Sequence, residues 1–89
     1  MRCSLLWMPT ATGDLKRLPG VVAKRIIAKM DWYIARENPF HFARRLADGA
    51  LGTYRFRVGD YRVLCDVHRG KITVLEVLGV RDRKNAYRK

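Results

Sequence analysis

Apolar side chains recur along this chain with two different periods. Between residues 21 and 37, Val22, Ile26, Met30, Tyr33 and Ile34 return at steps of three and four, and Lys24, Arg25 and Lys29 fill the wetter side. That spacing predicts an amphipathic helix over 21–37, closed by Asn38-Pro39. A shorter helix is expected over 10–18, capped by Thr10 or Thr12 and stopped by Pro19. Ahead of it, residues 3–8 form a strand candidate. Beyond Gly52 the period falls to two. Tyr54, Phe56 and Val58 alternate with Arg55 and Arg57; Tyr61, Val63, Cys65 and Val67 alternate with Arg62, Leu64 and Asp66. Gly59-Asp60 between them accepts the positive φ of a tight hairpin turn. After Arg69-Gly70, residues 71–80 read as a third strand, apolar on both faces and therefore central, followed by a charged tail over 81–89. The order is strand, two helices, three strands. It predicts an α+β fold in which an N-terminal strand joins a three-strand C-terminal meander and both helices pack on one face of this antiparallel-rich sheet.

The alternation bears directly on function. If the large apolar residues of the hairpin face the helices, Arg55, Arg57 and Arg62 must emerge together on the opposite face. Like charges on neighbouring strands repel unless an anion lies among them. A merely soluble face would interleave carboxylates with them, and this one does not. The whole composition leans the same way: 19 Lys and Arg against 8 Asp and Glu, a formal charge of +11 and a pI near 10.5 on 89 residues. Such a surplus seeks a polyanion. The length suits one domain spanning residues 1–89.

Several function classes drop out on composition. No apolar run approaches the ~20 residues of a membrane span, and the short apolar stretch at Leu5–Met8 lacks the cleavage site of a signal peptide. Cys3 and Cys65 suggest no disulfide framework, and Cys65 reads as a reduced core thiol. His41, His68 and the two cysteines are too scattered for zinc. The expectation is a cytoplasmic protein with neither metal nor cofactor.

The segment Gly52-Thr53-Tyr54-Arg55-Phe56-Arg57-Val58-Gly59-Asp60-Tyr61-Arg62-Val63 resembles the signature hairpin of the RelE/ParE toxin superfamily. Trp7, Pro9, Ala11, Asp14-Leu15-Lys16 and Leu18-Pro19 resemble its first strand and helix. Arg81-Asp82-Arg83-Lys84-Asn85-Ala86-Tyr87 resembles its arginine-rich C-terminal segment. The likeness is closest to RelE-type mRNA interferases. It implies a ribosome-dependent endoribonuclease in which the RNA's own 2′-hydroxyl attacks the phosphodiester, leaving a 2′,3′-cyclic phosphate without a metal. It also implies a cognate acidic antitoxin of RelB type. Two other functions fit the same outline: a ParE-like inhibitor of DNA gyrase, and an inactive basic module that binds only its antitoxin.

By this resemblance Arg62 is the central catalytic arginine, whose paired donors match a phosphate. Arg57, Arg83 and Tyr87 complete the catalytic set. Arg55, Arg57, Arg81 and Lys84 are the expected RNA contacts, with Arg81 a near-equal alternative to Arg83. Some family members carry lysines where Arg55 and Arg57 stand, and an arginine is a poor general base. The proton acceptor is therefore unassigned. His41 and His68 match no catalytic position of the family, Asp60 serves the turn, Glu76 and Asp82 are candidate partners of nearby arginines, and Trp7 and Trp32 fit core packing better than stacking.

Overall fold

A computed structural model describes residues 2–45 and 54–82. Its elements are β1 (Cys3–Trp7), α1 (Pro9–Lys16), α2 (Gly20–Ile34), a 3-10 turn (Pro39–Phe42), β2 (Ala43–Arg45), β3 (Tyr54–Val58), β4 (Tyr61–His68) and β5 (Thr73–Asp82). The strands form one sheet in the order β1-β5-β4-β3-β2. β1 runs parallel to β5, and the other pairs are antiparallel. The α+β class holds, and the short β2 extends the expected four strands to five. The last strand is interior, as its two apolar faces suggest, but the middle place belongs to β4.

The core lies between the helices and one sheet face. Ile26, Met30 and Tyr33 of α2 meet Phe56 and Val58 of β3, Val63 and Cys65 of β4, and Leu75, Val77 and Val80 of β5; Ala11 and Leu15 of α1 join them. Each such large apolar side chain contributes about 1.5–3 kcal/mol of burial. A bulge opposite Leu64 and Cys65 inserts Leu78 into β5. It shifts the inward set from Leu75 and Val77 to Val80, so a strict two-residue alternation does not run the length of β5.

Helix limits differ from the periodic expectation for local reasons. α1 begins at Pro9, whose missing N–H suits a first helical position, with Met8 as N-cap and no side-chain cap. Thr10 and Thr12 do other work. Thr12 Oγ1 donates to the Pro9 carbonyl at 3.0 Å, and Thr10 Oγ1 donates across to the Leu78 carbonyl at 2.6 Å. α1 ends at Lys16, before Pro19. α2 stops at Ile34 rather than Glu37, where the Arg36 side chain folds back and its Nε donates to the Trp32 carbonyl at 3.1 Å. Asn38 instead caps the 3-10 turn, its Oδ1 accepting from Phe40 N at 3.1 Å.

Both helices also close sheet edges. Past Val77, β5 has no β1 partner, and α1 takes its place. Thr10 bonds the Leu78 carbonyl, and Asp14 Oδ2, one turn later, accepts from Val80 N at 2.9 Å. Past Phe56, β3 runs beyond β2, and Tyr33 of α2 donates its hydroxyl to the Arg57 carbonyl at 2.7 Å. Side chains thus replace strand partners where the ladder runs out.

Candidate functional site

The register sets the arginines in rows. Arg57 of β3 stands directly opposite Arg62 of β4, and Arg62 opposite Arg81 of β5; Arg55 of β3 faces Arg44 of β2. Directly paired residues share a face, so the sheet side away from the helices carries the grouping expected from alternation. The turn that fixes this register requires Gly59, whose φ is +57°.

Four of these arginines and one imidazole line a cleft of about 300 Å³: His41, Phe42, Ala43, Arg44, Arg55, Arg57 and Arg62. None of its described lining residues is acidic. Arg62 is only 7% exposed. Its one hydrogen bond among the described residues is a long one, Nη1 to the carbonyl of adjacent Tyr61 at 3.4 Å. With no carboxylate ion-paired to it among the described residues, this largely enclosed side chain lacks a counter-charge that an incoming anion would supply. Arg57 is exposed and oriented by its own turn, Nε donating to the Gly59 carbonyl at 3.2 Å.

Arg81 is engaged elsewhere. Although it pairs with Arg62 in the register, its Nη1 donates to Asp14 Oδ2 at 2.6 Å, and Arg17 binds the same carboxylate through Oδ1 at 3.1 Å. Gly79 makes room for this pair: a Cβ there would stand 3.0 Å from Arg81 Nη1 and 3.2 Å from Asp14 Oδ2. Arg83, Lys84 and Tyr87 lie outside the described residues.

Two of the cleft's polar members, Arg44 and His41, do not follow from the alternation. Arg44 comes from β2, too short a strand to show a period. His41 is delivered by the 3-10 turn, which Asn38 and the buried Pro39 hold in place. The sequence signal for it, Asn-Pro followed by Phe-His-Phe, marks a turn but not its direction. His68 sits apart, with Nε2 3.5 Å from Glu76 Oε1; Glu76 therefore partners a histidine rather than an arginine. Trp7 packs on the core as expected. Trp32 does not: it is 41% exposed, with Lys29 Nζ at 4.3 Å and Arg36 Cζ at 4.2 Å from its ring.

Compared with known families, residues 5–87 match the family described as the ParE toxin of the type II toxin-antitoxin system parDE. The chain belongs to that family. Solved structures agree on the fold of this toxin. The toxin-antitoxin complex RelBE2 from Mycobacterium tuberculosis contains a chain 25% identical to it with a TM-score of 0.78, covering 93% of this chain and all of the other. A RelE-RelB complex from Pyrococcus horikoshii gives 26% identity, a TM-score of 0.67 and coverage of 93% and 97%. A RelB-RelE complex from Methanococcus jannaschii gives 28%, 0.59, and 92% and 94%. No curated protein matches the sequence. The chain is thus a toxin of a type II toxin-antitoxin system within the RelE/ParE superfamily.

Proposed function

We propose that this toxin is a metal-independent, ribosome-dependent endoribonuclease acting on mRNA at the arginine cleft. The observation that carries the reading is Arg62, a nearly buried arginine opening onto a cleft whose other charged groups, among the described residues, are Arg44, Arg55 and Arg57. Such an array suits a phosphodiester whose negative charge grows in the transition state. Arg62 supports the phosphorane, while Arg55 and Arg57 hold the RNA strand. His41 supplies what the arginines lack, because imidazole is the side chain suited to exchange protons near neutral pH. In the proposed step the 2′-oxygen bonds to phosphorus and its proton passes to His41. The bond from phosphorus to the 5′-oxygen of the next nucleotide breaks, and that oxygen takes a proton from solvent. The products are a 2′,3′-cyclic phosphate and a 5′-hydroxyl. In this reading Arg83 and Tyr87 take part in catalysis, Lys84 contacts the RNA, and the ribosome presents the message. The toxin works in the cytoplasm, restrained by an acidic RelB-like antitoxin that covers the positive face.

Purified toxin added to programmed ribosomes should cut the message. Arg62→Ala should lower the cleavage rate by about 10²–10³-fold, the scale of losing one charge-stabilising donor, and His41→Asn should lower it and flatten its pH profile. Intact message under translating conditions would overturn the reading. The match to a ParE family favours one alternative, inhibition of DNA gyrase by protein binding. Loss of supercoiling activity with untouched mRNA would establish it instead.

A further inference from the structure

Beside the cleft lies an aromatic group that the chemistry above does not use. Phe42 is 43% exposed although its ring is firmly backed. Tyr33 lies 5.3 Å from it and Trp32 5.4 Å, the latter edge-on. Tyr33 is itself buried and anchored to the Arg57 carbonyl, and Trp32 is engaged by Lys29 and Arg36. Phe42 is therefore a supported ring with free surface, set at the junction of two hollows. One is the arginine cleft. The other, about 420 Å³, is lined by Arg36, Glu37, Asn38, His41 and Phe42. His41 and Phe42 belong to both.

We propose that Phe42 is a stacking platform for one RNA base next to the phosphate bound at Arg62, the base lying in the second hollow. The inference rests on the nuclease reading and adds a nucleobase contact to it. A nucleotide chain alternates anionic phosphate with a flat apolar base, and this surface alternates in the same order, from arginine cleft to exposed ring. Single-stranded nucleic acid sites commonly combine a cationic groove with an aromatic ring in this way. Cations around the patch (Lys29, Arg36, Arg44) fit an anionic strand as well.

The test uses the whole toxin and a labelled trinucleotide bearing 2′-O-methyl groups, which block cleavage, alongside versions abasic at each position in turn. By fluorescence anisotropy, removing one particular base should weaken binding to the natural toxin about 5- to 100-fold. Phe42→Leu, which keeps apolar contact with Trp32 and Tyr33, should bind the intact trinucleotide as weakly as the natural toxin binds that abasic form, and should bind the abasic form unchanged. Phe42→Trp should restore the difference. Arg62→Ala should weaken intact and abasic forms alike. The proposal is overturned if every abasic form binds like the intact one, if Phe42→Leu weakens both equally, or if the natural toxin binds neither. It is also overturned if Phe42→Leu spares RNA binding and instead abolishes capture of the antitoxin, which would make the ring a protein contact. Cleavage on programmed ribosomes, measured in parallel, separates the two readings. Base-dependent binding without cleavage removes the nuclease alone, and cleavage without base dependence removes the platform alone.

Discussion

Cys65 shows how far a single residue's chemistry follows from where its strand puts it. Fully buried in the middle of the sheet, its thiol is pushed up to about 12 from an ordinary 9.0, by burial first and then by the nearby Asp66 and Cys3. Tyr33 and Cys3 shift upward too, both mainly through burial. The folded state therefore keeps a proton that the unfolded chain releases. Stability from this source is whole below about pH 9 and falls through the interval from 9 to 12, at about 1.4 kcal/mol per pH unit. Urea unfolding at pH 8 and pH 10 should show that decline in the natural protein and a shallower one in Cys65→Ala; equal slopes would contradict it. The core thiol was legible from alternation alone. The state of each arginine was not. The resemblance puts both Arg62 and Arg81 at the RNA site, yet one opens onto the cleft and the other is bound by Asp14, 67 positions away.

Among the elements, α1 is the least regular in sequence and the most consequential for the sheet. Its Thr10 and Asp14, four residues apart, stand in for a missing strand along β5. Asp14→Ala would leave Val80 N and two guanidinium groups without their acceptor, a loss of about 2–3 kcal/mol. Asp14→Asn, which keeps an acceptor for Val80 N, should cost about half as much. Urea midpoints of the two variants test this, and equal losses would mean that the backbone bond contributes little. Sequence reasoning placed both helices and the hairpin because their hydrophobic periods are local. It overlooked β2 and the 3-10 turn because three- and four-residue elements have no period to read. Thr10 reads as one of two candidate caps because that role is defined within a helix, whereas its actual partner, Leu78, comes from the far end of the chain.

At the scale of the molecule, a formal charge of +11 is gathered into a usable form by the sheet. Four arginines of one cleft should make RNA binding fall steeply with salt, by about 0.7 in log K per decade for each phosphate contact on a single strand. A log–log plot for the uncleavable trinucleotide, which has two internucleotide phosphates, should have a slope of about −1.4, and Arg62→Ala should reduce it by about 0.7. A slope near zero would mean that the cleft holds its ligand by other forces.

The sequence by itself determined the α+β order, the inward set of the hairpin and the sharing of one face by Arg55, Arg57 and Arg62, because strand geometry alternates side chains without regard to the rest of the fold. Only the tertiary structure decided which of these charges stay available to a ligand. Burial of Arg62, capture of Arg81 by Asp14, and the arrival of His41, Arg44 and Phe42 at the same cleft all depend on contacts between segments remote in the chain. Desolvation and charge pairing are properties of surroundings, and a residue's surroundings exist only once the chain has folded.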